Sequence, residues 1–125
     1  KQNSKENRLL LNVFSINYNE IVNIDDNLLD IIDVKIFQAS NNLMKSFPNI
    51  YHFKNLKKID LSRNKISEIS DNINKLVGLQ ELNLSHNQIR DFPDLCNITN
   101  LKEVDLSNNK LVVLNKNLLG LNTYT

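Results

Sequence analysis

A phrase of eleven residues occurs three times in this sequence, and its spacing constrains the fold more than any other feature. The copies are LKKIDLSRNKI from Leu56, LQELNLSHNQI from Leu79 and LKEVDLSNNKL from Leu101. They start 23 and 22 residues apart, and each has apolar residues at places one, four, six and eleven and an asparagine at place nine. A period of roughly 20 to 29 residues predicts a stack of similar coils that share one core.

The asparagine at place nine divides the rest of the sequence into coils of similar length. Counting back from Asn64, the next asparagines in register are Asn42 and Asn19. The coils are then residues 11–33, 34–55, 56–78, 79–100 and 101–123, with lengths that alternate between 23 and 22. We therefore predict one repeat domain over residues 1–125, with residues 1–10 as a ragged N-terminal edge. We also expect a piece of a longer protein, because the pattern is still running at Thr125.

The first half of each phrase alternates apolar and polar residues, which predicts a short strand with one buried face. Successive strands would pair in parallel about 4.8 Å apart. The return path holds about ten residues and should be extended or form a turn or two of helix. A buried asparagine suits the turn after the strand because its amide both donates and accepts hydrogen bonds.

Each return path has two apolar residues that complete the predicted interior. In the long coils they follow the asparagine by nine and twelve residues: Leu28 and Ile31, Ile73 and Leu76, Leu118 and Leu121. In the short coils they follow it by eight and eleven residues: Ile50 and Phe53, Leu95 and Ile98. One position departs from the pattern: Ala39 stands at place six, where the other coils have isoleucine or leucine, beside the bulky Phe37 at place four. Either Phe37 conserves the volume or the second coil is the least stable part of the stack.

This pattern resembles that of the leucine-rich repeat family. The resemblance implies an α/β fold, a right-handed curved solenoid with a parallel sheet on its concave face and short helical, 3-10 or extended segments on its convex face. The 22-residue coils are similar to those of Sds22-like regulators of a protein phosphatase, and the 23-residue coils are similar to those of Ras-pathway scaffolds. The family also implies that the concave face holds a protein ligand.

The side chains between the inward places should face the concave surface, where the frame does not require them. The candidate binding residues are Tyr18, Asn41, Arg63, His86 and Asn108 at place eight, Asp60, Asn83 and Asp105 at place five, and Lys58 and Glu81 at place three. Tyrosine and arginine are enriched at energetic hot spots of interfaces, so Tyr18, Arg63 and then His86 are the first candidates. Val13, Ile36, Tyr18 and Leu43 should form an apolar corner that is either a contact site or covered by an N-terminal cap.

Catalysis, metals and cofactors have little support in the sequence. His86 lies near serines and aspartates, but an open sheet provides no oxyanion hole or walled pocket, so we expect no enzyme activity in this chain. A metal site at His86 would lack a second histidine or cysteine nearby, and we expect no cofactor. The formal net charge is +1, which gives no reason to expect nucleic acid or a membrane surface as partner.

The expected function is therefore a monomeric protein-binding module with a scaffold or regulatory role. One alternative is the recognition arm of a larger enzyme, such as a kinase, cyclase or ubiquitin ligase, with its catalytic domain outside this chain. A narrower alternative is an Sds22-like phosphatase regulator. The single cysteine, Cys96, is expected to be a small buried hydrophobe and indicates an intracellular setting, cytoplasmic or nuclear.

Overall fold

The computed structural model describes residues 7–95 and 97–112 and the backbone of one further strand at 122–124. The strands of the five coils and a sixth strand at 122–124 form a parallel sheet whose order follows the chain. The strands are β1 (Leu9–Ser15), β2 (Ile32–Gln38), β3 (Lys58–Asp60), β4 (Glu81–Asn83), β5 (Glu103–Asp105) and β6 (Asn122–Tyr124). The predicted fold class, a leucine-rich-repeat-like parallel sheet with one strand per coil, is confirmed.

The return paths contain little helix, as the small number of residues in each of them predicts. The α-helix α1 covers Asp26–Asp30, and a 3-10 helix covers Asp71–Lys75. Both begin after a capping side chain: Asp25 accepts from the Asn27 N–H and Ser70 from the Asn72 N–H. None of the described helices has the length or apolar character to span a bilayer.

The core lies between the sheet and the return paths and runs through the described coils without interruption. From the second coil to the fifth, the residues at places one, four and six are all buried. The second coil accommodates the small Ala39 beside Phe37, which stacks on Phe14 at 5.2 Å between ring centres and is tilted against Phe53 at 6.3 Å. Phe37 and Ala39 are both fully buried, so the aromatic rings fill the space beside the small side chain.

The asparagines at place nine form the predicted ladder. Asn64 donates through Nδ2 to the carbonyls of Leu61 and Ser62 in its own turn and to that of Ala39 in the preceding coil. Its Oδ1 accepts from the Met44 N–H at 3.1 Å. Equivalent bonds are made by Asn42, Asn87 and Asn109. These amides therefore connect neighbouring coils as well as closing their own turns.

The predicted interior of the first coil is wrong by one residue. Leu28 and Ile31 are 42% and 57% exposed, whereas Leu29 and Ile32 are buried. The sequence has Leu-Leu and Ile-Ile pairs at these places, and the Asp25 cap sets the phase of α1 so that the second member of the leucine pair faces the core. Ile32 opens β2 and lies on the same face as Val34, two residues later. In the third coil, Ile73 and Leu76 are buried as predicted.

Both ends of the repeat differ from the sequence expectation. Leu9 and Leu10 belong to β1 and pair with Ile32 and Asp33, so the regular structure begins before residue 11. Arg8 donates from Nε to the Asp30 carbonyl at 2.8 Å and so connects the start of β1 to the end of α1.

At the other end, Asn122 lies in register with Glu103 only 19 residues later, so the fifth coil is shorter than the 23 residues predicted. The alternation of 22 and 23 residues predicts the longer coil, but no sixth asparagine in register supports that length. Leu118, Leu121 and Cys96 lie outside the described side chains.

Candidate functional site

The candidate site is the face of the sheet that points away from the core, and we call it the open face. It is formed by the side chains at places three and five of successive coils. In place three the register aligns Val13, Ile36, Lys58, Glu81 and Glu103, and in place five it aligns Ser15, Gln38, Asp60, Asn83 and Asp105. Both predicted rows are therefore continuous across five strands.

Place five also has a structural function in the last three coils. The Asp60 Oδ1 accepts from the Ser62 N–H at 3.0 Å and from the Ser62 hydroxyl at 2.7 Å. Asn83 and Asp105 receive the same two bonds from Ser85 and Ser107. One oxygen of each place-five side chain thus holds the turn after its strand, and the rest of the side chain remains on the open face.

Most of the charged side chains of the open face are at place three. Lys58 and Glu81 form an ion pair at 3.4 Å, and both side chains are close to half exposed. Such an exposed pair contributes little to stability because solvent screens it. These residues, Ile36 and the neighbouring place-five side chains line a shallow groove of about 300 Å³. The groove is open to solvent and has the dimensions of a few side chains.

Place eight has a property that the sequence analysis missed. Its five residues all have positive φ values between 57° and 59°: Tyr18, Asn41, Arg63, His86 and Asn108. Asparagine and histidine occur in this left-handed conformation more often than most residues, and the short asparagine side chain can offset the steric cost by hydrogen-bonding locally, whereas tyrosine and arginine adopt it less readily. The recurrence of asparagine at this place was the available signal. The backbone therefore favours Asn41 and Asn108, tolerates His86 and disfavours Tyr18 and Arg63.

The place-eight side chains project at the end of the strands, next to the open face. Tyr18 is 78% exposed, and Arg63 is also exposed. His86 is half-buried, and its Nε2 lies 3.2 Å from the Asn108 Nδ2. Because the amide nitrogen can only donate, Nε2 of His86 is the acceptor in this contact. Tyr18 and Arg63, the two side chains that the backbone disfavours, are therefore both exposed, in the first and third coils.

The predicted apolar corner exists at the first two coils. Val13 and Ile36 are register partners on β1 and β2; Val13 is 51% exposed and Ile36 is half-buried. Leu43 and Tyr18 are exposed on the turns that follow these two strands. The open face is therefore apolar at one end and charged over β3 to β5.

The contacts of the open face do not resemble those of a catalytic triad. The hydroxyls of Ser62, Ser85 and Ser107 donate to place-five side chains of their own coils. Among the described residues, no three histidine, cysteine, aspartate or glutamate side chains are close enough to hold a metal ion. The other histidine, His52, lies on the return path and donates from Nε2 to the Leu29 carbonyl at 2.7 Å.

Two models of a repeat family match the chain. One, described as "Leucine rich repeat", covers residues 20–89, and the other, described as "Leucine Rich repeats (2 copies)", covers residues 77–122. A comparison with curated protein sequences gave no significant match.

Solved structures with this architecture are similar to the chain. A leucine-rich repeat protein of Leptospira interrogans is 28% identical with a TM-score of 0.73, over 78% of this chain and 26% of that one. The leucine-rich repeat domain of APL1B is 26% identical with a TM-score of 0.65, over 75% of this chain and 30% of that one. The chain spans less than a third of the length of either structure.

Proposed function

Because this chain belongs to the leucine-rich repeat family, we propose that it is a module that binds a partner protein on its open face. The family is typically a protein-interaction module and generally a non-catalytic fold. The partner, its binding residues and the role of the complex are parts of the proposal.

The observation that carries the proposal is the mixture of side chains at place eight. Five coils give this place the same left-handed backbone, yet the side chains are tyrosine, asparagine, arginine, histidine and asparagine. Tyr18 and Arg63 cost the fold stability there, and residues held against their backbone preference cluster at functional sites. Tyrosine and arginine are also the types that dominate interface energetics. Partner binding explains why such side chains are present on an otherwise regular frame.

A pair of charge reversals tests the proposal. Arg63→Glu changes an exposed arginine beside the open face, and Arg90→Glu makes the same change at an exposed arginine on the bend after Ile89, outside the sheet. Glutamate and arginine both have an unbranched Cβ. Neither substitution therefore changes the steric cost of the backbone conformation at its position. We expect Arg63→Glu to weaken binding of the partner isolated with the full-length protein by at least about fivefold, and Arg90→Glu by less than about twofold.

The variant Tyr18→Asn distinguishes a direct loss of partner binding from a loss of binding caused by misfolding. Asparagine relieves the strain at this place, so the variant should melt at a higher temperature than the wild type while it binds the partner more weakly. Loss of binding through misfolding would instead lower the melting temperature. Unchanged binding of both Tyr18→Asn and Arg63→Glu, with intact circular dichroism spectra, would overturn the proposal.

A scaffold, an Sds22-like regulator and a recognition arm of a larger enzyme would all use this docking surface. The sequence of the full-length polypeptide distinguishes the recognition arm of an enzyme, because it would contain a catalytic domain beyond these coils.

We also propose an intracellular setting, cytoplasmic or nuclear, which the single cysteine supports. Imaging of the tagged full-length protein tests it, and secretion into the medium would contradict it.

A further inference from the structure

The open face is chemically different at its two ends. Val13 and Ile36 make it apolar over β1 and β2, and Tyr18 extends this apolar surface beside β1. Over β3 to β5 the rows at places three and five contain one lysine, one asparagine and four carboxylates: Lys58, Asn83, Asp60, Glu81, Glu103 and Asp105. A segment that lies across the strands therefore meets an apolar surface first and an acidic one next.

The acidic end has a charge opposite to that of the chain as a whole. One lysine against four carboxylates gives these six residues a formal charge of −3, whereas the whole chain has a net charge of +1. Lys58 is engaged by Glu81, and Glu103 has no ion-pair partner within residues 7–95 and 97–112. Carboxylates concentrated on one surface attract cationic groups and repel anionic ones.

We infer that the open face selects a partner segment with an apolar side chain at one end and lysines or arginines at the other. The segment lies across the strands with its apolar side chain against Val13 and Ile36 and its cationic side chains above Glu81 and Glu103. This inference rests on the proposed function and adds the chemistry of the partner to it.

The dimensions of the sheet determine the length of this segment. Five adjacent strands have a width of about 19 Å between the first and the last, at about 4.8 Å per interval. An extended chain rises about 3.3 Å per residue, so about six residues cross the face. Side chains two residues apart point to the same side and lie about 6.6 Å apart. One apolar and two cationic side chains in alternation therefore match the apolar and acidic ends of the face.

Two synthetic peptides test the inference. Each has nine residues in which serine alternates with two leucines and then with three lysines or, in the counterpart, three glutamates. Binding to the folded chain is measured by fluorescence polarisation at low salt. We expect the lysine peptide to bind at least about tenfold more tightly than the glutamate peptide, and to weaken as the salt concentration approaches about 0.5 M.

A matched pair of variants locates the binding site. Glu103→Lys reverses a charge on the open face, and Glu68→Lys makes the same change at an exposed residue outside the sheet, where Glu68 forms an isolated bridge with Asp91. We expect Glu103→Lys to weaken the lysine peptide at least about fivefold and Glu68→Lys less than about twofold. No binding of the lysine peptide, equal binding of both peptides, or equal effects of the two variants would overturn the inference.

The natural partner separates failure of the inference from failure of the proposed function. If the partner is weakened by Tyr18→Asn but is unaffected or strengthened by Glu103→Lys, the charge assignment is wrong and docking on the open face stands. If neither Tyr18→Asn nor Glu103→Lys changes binding of the partner, both are overturned. Weakening by Glu103→Lys with little effect of Glu68→Lys supports both.

Discussion

The side-chain oxygen of Asn64 accepts a hydrogen bond from the backbone N–H of Met44, 20 residues earlier in the chain, at 3.1 Å. The same amide group donates to carbonyls in both coils. An asparagine that satisfies backbone groups on both sides of a coil boundary stabilises the contact between repeats and the turn at once. The stability of this fold therefore depends on the ladder as well as on the buried leucines.

Removal of one central asparagine should destabilise the protein strongly. Asn64→Ala leaves the Met44 N–H and the Ala39 carbonyl without the amide partner, and unsatisfied buried groups cost about 1–3 kcal/mol each. We expect the free energy of unfolding in urea to fall by roughly 3 kcal/mol. The control is Asn19→Ala in the first coil, where the exposed amide donates only within its own turn, and the expected loss there is about 1 kcal/mol. Equal losses at the two positions would contradict the inter-coil function of the ladder.

The left-handed backbone at place eight predicts that one substitution on the proposed binding surface will stabilise the protein. Arg63→Asn should raise the free energy of unfolding by about 0.5–1 kcal/mol, because asparagine tolerates the φ of 57° better than arginine. Lys65→Asn is the control, since it also replaces an exposed cation by asparagine but at a residue without positive φ. Thermal and urea denaturation of both variants measure the effect. If Lys65→Asn stabilises as much as Arg63→Asn, charge and not backbone strain is the cause.

Compensation between Phe37 and Ala39 can be measured in a double-mutant cycle. Ala39→Leu alone overfills the second coil and should cost roughly 1–3 kcal/mol, and Phe37→Leu alone leaves a cavity and should cost roughly 1–2 kcal/mol. The double variant restores the leucine pattern of the other coils, so it should be more stable than the sum of the single effects by about 1 kcal/mol. Additive effects in urea denaturation would show that the two positions do not share volume.

We expect the protein to lose stability at alkaline pH because of Tyr51. Its ring stacks on Phe47 at 5.5 Å, and burial raises the pKa of the Tyr51 phenol above its ordinary value near 10. Above pH ~10 the unfolded state therefore loses this proton before the folded state does, and the free energy of unfolding falls as the pH rises. Tyr51→Phe should lose less stability than the wild type between pH 8 and pH 11. Parallel losses in urea titrations at the two pH values would contradict this assignment.

The frame of the molecule was predictable because its signal repeats. Every coil has apolar residues at places one, four and six and an asparagine at place nine. An ambiguous assignment in one coil can therefore be resolved from the other coils, and the strand register follows directly. The first coil shows the limit of this reasoning. Its Leu28-Leu29 and Ile31-Ile32 pairs fit the period in either phase, and the phase is determined by the Asp25 cap and the start of β2, which spacing does not encode.

The candidate site was predictable in its placement and only partly in its geometry. Alternation along the strands identified the open face and aligned Lys58, Glu81 and Glu103 in one row. The bonds from Ser62 to Asp60 depend on the path of the turn, which the period does not determine. The left-handed backbone at Arg63 had only one signal in the sequence, the asparagines at the same place in two other coils. The binding role of the ten candidate residues stays a prediction.

Mapping of a bound partner tests the central claim, that the regular residues form the frame and the open face binds. The measurement is amide chemical-shift perturbation in the folded chain when the purified natural partner is added. We expect the largest changes at Lys58, Arg63, Glu81 and Glu103 and small changes at Glu68 and Asp71, which lie outside the sheet. Perturbations concentrated at Glu68, Asp71 and the other return-path residues, with the open face unchanged, would contradict the account.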